Sequence, residues 1–262
     1  MPVQSPLMTL MTRAAEKAAK SLLRDFGEVE QLQVSVKGPA DFVSAADRRA
    51  EKILFEELSK ARPGASFLME ESGAVGPADA EYRWIIDPLD GTTNFLHGLP
   101  HWSISIGLER KGEMVAALIL DPVKNEAFNA EQGRGAFMNN RRLRVSGRKD
   151  LALAVVSGGY HPKKDPSGTF YKTLEKIMDQ TGGYRPFGSA ALDLAYVAAG
   201  RLEGIWDYGL GPWDVAAGAL IVAEAGGKMV SLSGDSNLLY ADGILAATPT
   251  LLGPLEGLLR GA

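Results

Sequence analysis

One stretch constrains this chain more than any other: Trp84-Ile85-Ile86-Asp87-Pro88-Leu89-Asp90-Gly91-Thr92-Thr93-Asn94-Phe95. An apolar strand stops abruptly in two carboxylates three residues apart. Pro88 biases Asp87 toward an extended conformation and fixes the turn behind it. Gly91 lets the backbone approach a neighbour closely. Thr92, Thr93 and Asn94 add hydroxyls, an amide and backbone N–H groups. Two fixed carboxylates beside such donors suit a divalent cation that also holds an oxyanion. A lone Asp-x-x-Asp pair is an ordinary turn, with Asp87 and Asp90 satisfying local N–H groups. The full string is far more specific and favours the cation.

Composition narrows the chemistry further. The 262 residues contain no cysteine and only three histidines. Disulfides, thiolate zinc sites, iron–sulfur clusters and thiol nucleophiles are therefore excluded, and a histidine-rich metal centre nearly so. Carboxylates, hydroxyls and hard cations remain. Asp plus Glu is 32 against 28 Lys plus Arg, a net charge of -4, which disfavours a general nucleic-acid binder. The longest apolar runs, such as residues 114–120, are too short to span a bilayer, and the N-terminus lacks a basic region followed by a continuous apolar stretch. These features predict a soluble, cytoplasmic protein with no membrane partner.

Leu7, Leu10, Met11, Ala14, Ala15, Ala18, Ala19, Leu22, Leu23 and Phe26 recur at helical spacing, with Gly27 as a stop. Residues 31–36 alternate like a short strand. Ser44 and Asp47 resemble a capping box for a second helix through Ile53, Leu54 and Leu58. Strands are expected over 66–69, 82–87, 102–109, 114–120 and 126–130, in a meander, with turns at Lys111-Gly112 and Gly133-Arg134-Gly135. Beyond about residue 145 strands and helices alternate: a strand near 153–157, helices over 169–180 and 190–199, a strand over 202–207, a helix from Trp213 to Gly226-Gly227, a strand over 244–247, and Thr248-Pro249 opening a last helix. Residues 141–149, with five positive charges, read as the junction between an N-terminal α+β part (1–145) and a C-terminal α/β part (146–262).

Two further acidic segments stand out. Glu70-Glu71-Ser72 follows the strand ending in Met69, and Asp214 lies in Pro212-Trp213-Asp214-Val215-Ala216-Ala217-Gly218 at a helix start, where a carboxylate is ordinarily a cap. Together with the Trp84–Phe95 string and the run Phe187-Gly188-Ser189-Ala190-Ala191-Leu192-Asp193-Leu194-Ala195, these segments resemble the inositol monophosphatase family. That family belongs to the metal-dependent, lithium-sensitive phosphatases that include fructose-1,6-bisphosphatase. The resemblance runs from about residue 36 to 227, and its bacterial members match best.

The resemblance implies a layered α-β-α-β-α sandwich with the active site between the two parts. It implies that Glu70, Asp87, the Leu89 carbonyl, Asp90 and Asp214 hold two or three Mg²⁺ ions, about +4 to +6 of charge that offsets the acidic cradle. Thr92, supported by Asp47, positions the nucleophilic water; Lys37 and Asp41 match the segment leading to Asp47. Asp90, Gly91, Thr92 and Asp214 are also expected to contact substrate. Gly188, Ser189, Ala190 and Asp207 line the alcohol part of the substrate, and Arg185 contacts substrate or a partner subunit. Met69 stands where glycine is frequent, and Asp207 where glutamate is common, one methylene shorter. The family's members are usually homodimers acting on small phosphorylated polyols.

An oxygen-only donor set selects a hard cation, and Mg²⁺ is the usual partner of phosphate. Two such ions clamp the attacking and leaving oxygens, and N–H groups at residues 91–93 stabilise the equatorial ones. The expected reaction is direct attack by metal-activated water on inositol 1-phosphate, with inversion at phosphorus. Histidinol phosphate, fructose 1,6-bisphosphate or a 3'-phosphonucleotide are alternative substrates, and a binding or regulatory role on the same fold is an alternative of another class. A phosphatase of the haloacid-dehalogenase type is rejected, because its two aspartates lie two residues apart. His97, His101 and His161 have no ligand-like spacing and read as structural or surface residues.

Overall fold

The first helix, α1 (Pro6–Phe26), begins where the Ser5 hydroxyl accepts a hydrogen bond from the Met8 N–H at 3.0 Å, with Pro6 in the first turn. In this computed structural model the described residues are 5–28, 34–38, 41–159 and 169–260. The side chains of Lys37, Asp41 and Ser44, residues 31–33 of the expected first strand, and Tyr160-His161 lie outside them. Gly27 caps α1 as expected, though in a right-handed conformation (φ -72°) that any residue adopts. α1 buries Met8, Met11, Ala14, Ala15, Ala18, Ala19 and Leu22, and α2 (Ala45–Ala61) meets it with Ala46, Ala50, Leu54 and Leu58. Alanines on both faces let the helix axes approach. Asp25 and Arg49 pair at 2.6 Å across the contact.

β1 (Val34–Gly38) and β2 (Asp41–Ser44) form a small antiparallel hairpin before α2. The main sheet comprises β3 (Ser66–Met69), β4 (Gly73–Val75), β5 (Tyr82–Asp90), β6 (Ser103–Arg110), β7 (Glu113–Asp121), β8 (Glu126–Glu131), β9 (Gly135–Met138) and β10 (Arg141–Arg142). Its order is β10-β9-β8-β7-β6-β5-β3-β4, antiparallel throughout except for the β3–β5 pair. A second sheet holds β11 (Val155–Gly159), β12 (Gly183–Tyr184), β13 (Gly204–Tyr208), β14 (Lys228–Ser231) and β15 (Gly243–Ala247), in the order β12-β11-β13-β15-β14. The remaining helices are α3 (Thr92–Leu96), α4 (Thr169–Gln180), α5 (Ala190–Ala198), α6 (Pro212–Glu224) and α7 (Pro249–Arg260).

Strand alternation builds the layers. Ile104, Ile106, Leu108, Leu118 and Leu120 face α1 and α2, whereas Ala117 and Ile119 face α5 and α6. The second sheet sends Ile205, Ile244 and Ala246 to that same middle core, and Trp206, Leu245 and Ala247 to α4 and α7. The result is the expected α-β-α-β-α sandwich. α5 lies between two sheets, so every residue from Ala190 to Ala198 is buried and it has no polar face. A Cβ on Gly107 would lie 3.2 Å from the Ala216 Cβ, so glycine lets α6 sit against β6.

The basic stretch is less of a bare junction than its charge suggested. Arg141 and Arg142 complete the main sheet as β10. Arg148 pairs at 2.8 Å with Glu203, a fully buried carboxylate that also accepts from the Val155 N–H at 2.7 Å. No helix among the described residues is long and apolar enough to cross a membrane.

Candidate active site

β5 runs past Asp87, the expected end, as far as Asp90. Its register against β6 shifts between these residues: Asp87 faces Ser105 and Asp90 faces Ser103, so three steps on β5 match two on β6. Side chains three apart on a regular strand point to opposite faces. The bulge adds the extra residue that returns both carboxylates to one side. Pro88, which has no N–H to donate, sits in the bulge where no ladder bond is lost.

Each carboxylate then has one oxygen held by the protein. Asp87 Oδ1 accepts from the Leu89 N–H at 2.8 Å. Asp90 Oδ2 accepts from the Ser189 hydroxyl and from the Ala191 N–H (3.0 Å) at the start of α5. Asp214 lies in the first turn of α6 and accepts from the Gly211 N–H at 2.6 Å, so it is a cap as well as a candidate ligand. Oxygens of Asp87, Asp90 and Asp214 lie within 4.8 Å of one another. Burial and mutual repulsion push these groups upward: Asp87 well above the usual range by burial and by Glu70, Asp90 and Asp214, and Asp214 up to about 7 by burial and Asp90. Carboxylates crowded in this way hold protons unless a cation replaces them. The donor set is all oxygen, which fits a hard cation such as Mg²⁺.

Glu70 is not in that tight group. It lies in the turn joining β3 to β4 and lines the same cavity of about 490 Å³ as Asp90 and Asp214. Asp47 is fully buried in the first turn of α2, and its Oδ1 lies 3.1 Å from the Thr92 hydroxyl. That hydroxyl also lies 3.0 Å from the Leu89 carbonyl, so one proton faces two acceptors. Gly91 has φ 89°, and a Cβ there would meet the carbonyls of His101 (3.1 Å) and Gly188 (3.2 Å). The Asn94 amide, expected among the site's donors, is spent on the His101 and Phe187 carbonyls at 2.8 and 2.7 Å. It stitches α3 to the segment leading into α5.

Gly188, Ser189, Ala190 and Asp207 line the cavity with Gly91 and Thr92. Asp207 is anchored by the Tyr208 N–H at 2.7 Å, and Gly159 opposite it has no Cβ to collide with its carboxylate. Arg185 is exposed and outside the lining; its guanidinium donates to the Tyr184 carbonyl at 2.8 Å. His97 is exposed beside the Thr93 carbonyl, and His101 stacks on Phe187 at 5.1 Å.

Two buried carboxylates near the site were given no role by the sequence reading: Asp193, quoted only as part of a run, and Glu51. Asp193 on α5 lines the cavity, touches the Ser157 hydroxyl at 2.5 Å, and is raised well above the usual range by burial. Ser157 has one proton, and its oxygen lies 2.6 Å from the Arg185 carbonyl, which can only accept; a neutral, proton-bearing Asp193 satisfies both contacts. The signal was a lone acid in an otherwise apolar helix. Glu51 on α2 is the other.

An acidic, oxygen-only cluster in a five-layered sandwich is the arrangement that the resemblance to metal-dependent phosphatases leads one to expect. The sequence profile described as the Inositol monophosphatase family matches residues 3–259. An inositol-1-monophosphatase of Mesorhizobium japonicum is 53% identical over 249 residues, covering 95% of this chain and 94% of that one. A Nus factor SuhB of Pseudomonas aeruginosa is 42% identical over 247 residues, covering 92% and 91%. The crystal structure of the extragenic suppressor protein suhB from Bartonella henselae superposes with a TM-score of 0.94 at 50% identity, covering 98% of this chain and 99% of that one. The chain belongs to the inositol monophosphatase family.

Proposed function

We propose that this protein is a Mg²⁺-dependent phosphatase that hydrolyses inositol 1-phosphate to inositol and phosphate. The observation that carries this reading is the convergence of Asp87, Asp90 and Asp214 within 4.8 Å at a cavity that Asp207 also lines. Glu70, Asp87, the Leu89 carbonyl, Asp90 and Asp214 are the groups that would hold two or three ions. When bound, the ions supply the Lewis acidity that activates water and offsets the charge of the phosphate.

The chain's own residues do the rest. With its proton given to Asp47, the Thr92 hydroxyl has lone pairs that accept a hydrogen bond from water and aim it. Backbone N–H groups at residues 91–93 take the equatorial phosphate oxygens. Asp207 accepts a hydroxyl of the polyol, and Gly188, Ser189 and Ala190 shape the space around it. Arg185, outside the cavity lining, is assigned to a subunit contact in a homodimer. Parts 1–145 and 146–262 each contribute one side of the cleft.

Phosphate release from inositol 1-phosphate, compared with histidinol phosphate, fructose 1,6-bisphosphate and a 3'-phosphonucleotide, tests the substrate, with Mg²⁺ and with added Li⁺. Inositol 1-phosphate is expected to give the highest kcat/KM, with inversion at a chiral phosphorus. Asp90→Asn is expected to lower the rate by at least about a hundredfold; an unchanged rate would sink the site. The likeness to a Nus factor SuhB, at 42% identity, favours a second reading, a regulatory binding role added to hydrolysis. Binding of a protein or nucleic-acid partner that survives Asp90→Asn would support it.

A further inference from the structure

α2 presents two acids one turn apart on the same buried face, Asp47 and Glu51. Asp47 reaches Thr92. Glu51 is 4% exposed and forms no ion pair within 4.0 Å among the described residues. Its bonds go instead to one short turn. Oε2 accepts from the Glu71 N–H at 2.9 Å and the Ser72 N–H at 3.3 Å, and Oε1 accepts from the Ser72 hydroxyl.

Those donors immediately follow Glu70. On the other side, the Glu70 N–H donates to the Ile86 carbonyl at 3.2 Å, continuing the parallel β3–β5 pairing. The next residue on β5 is Asp87. Glu70 is therefore pinned to β5 in front and to α2 behind, and the position of its carboxylate depends on both. Only Glu70, Glu71 and Ser72 separate the paired Met69 and Gly73, so the β3–β4 ladder closes the turn and Glu51 fixes it from the α2 side.

We propose that Glu51 is a positioning residue: it clamps the Glu70-Glu71-Ser72 turn from behind and sets how Glu70 reaches the cation site. The proposal rests on the reading of Glu70 as a cation ligand. A buried carboxylate without a cation partner is costly unless hydrogen bonds satisfy it. Three donors from this turn do so, which binds the position of α2 to the geometry of the site. The same helix thereby governs both the water-aiming pair and the outlying metal ligand.

Mn²⁺ binding to the substrate-free protein, read from the electron spin resonance of free Mn²⁺, tests this without turnover. Glu51→Met keeps the bulk and removes both acceptors; about a ten- to hundredfold loss of Mn²⁺ affinity is expected. The Mg²⁺ needed for half-maximal rate should rise in parallel, with kcat at saturating Mg²⁺ within about twofold of wild type. Glu51→Gln should restore affinity to within about threefold, because its Oε1 accepts both N–H bonds and its amide donates to Ser72. Ser72→Ala, which removes one bond of three, should weaken binding by a smaller factor and covers the case in which Glu51→Met does not fold. Unchanged Mn²⁺ affinity in Glu51→Met and Ser72→Ala, or equal losses in the Met and Gln variants that track a loss of folded protein, would overturn the proposal. Glu70→Gln separates the two ideas. If it loses affinity while Glu51→Met does not, only the role of Glu51 fails; if it binds Mn²⁺ like wild type, the reading of Glu70 fails and the proposal with it.

Discussion

His101 illustrates how little of a residue's role lies in its type. Its ring stacks on Phe187, and burial together with the Lys124 ammonium holds its pKa down at about 4. The unfolded chain takes up a proton near pH 6.5 that the folded chain refuses until about 4. Stability from this group is therefore full above pH 6.5 and falls as the pH drops toward 4. Wild type should lose about 1–2 kcal/mol more than His101→Gln over that window, a figure already reduced for the ring's partial exposure. Urea titrations at pH 7 and pH 4.5 check it, and equal losses would contradict it. At this scale the sequence was legible where several unusual residues were contiguous. Asp87, Asp90 and Thr92 announced themselves together. Glu51 and Asp193 did not, because an acid on a helix ordinarily faces water, and only the turn behind Glu51 and the hydroxyl beside Asp193 show otherwise.

Elements with a long period were read correctly, as were the short apolar strands β3 and β15. α1 was expected through Phe26 and ends there, and the expected helix over 190–199 is α5 within one residue. β4, β10 and β12, of two or three residues, exist only through pairing with neighbours, so no local pattern marks them. The bulge in β5 was hidden for the same reason: register belongs to two strands. Packing between α5 and α6 gives a test of sign. A Cβ on Gly218 would lie 2.6 Å from the Leu194 Cβ. Helix propensity alone favours Gly218→Ala by about 1 kcal/mol. Overpacking costs about 1–3 kcal/mol and should win, because the atom met lies next to a backbone and cannot swing away. A lowered melting temperature is the expected result; a raised one would mean the helices separate freely.

Across the whole molecule, the middle core joins both sheets, with Ala117 and Ile119 from one and Ile205 and Ile244 from the other. The two parts should therefore melt in one transition. Asn94 ties them at the cleft through the Phe187 carbonyl, and holds the His101 carbonyl of its own part with the same amide. Asn94→Ala leaves both acceptors unmet and should cost about 1–3 kcal/mol, read as a lower urea midpoint with KM raised more than kcat is lowered. A midpoint equal to wild type would show that water replaces the amide fully.

The three converging carboxylates leave the chain far apart in time as well as in sequence. Asp87 and Asp90 lie in the last four residues of a strand of the first sheet, whereas Asp214 lies in the first turn of a helix that follows three strands of the second. During synthesis the first two emerge more than a hundred residues before the third. A nascent or truncated chain that lacks α6 cannot complete the cradle, however well its first sheet has formed. On the proposed reading of these three carboxylates as cation ligands, cation binding favours only chains in which α6 has been made and has docked on the first sheet.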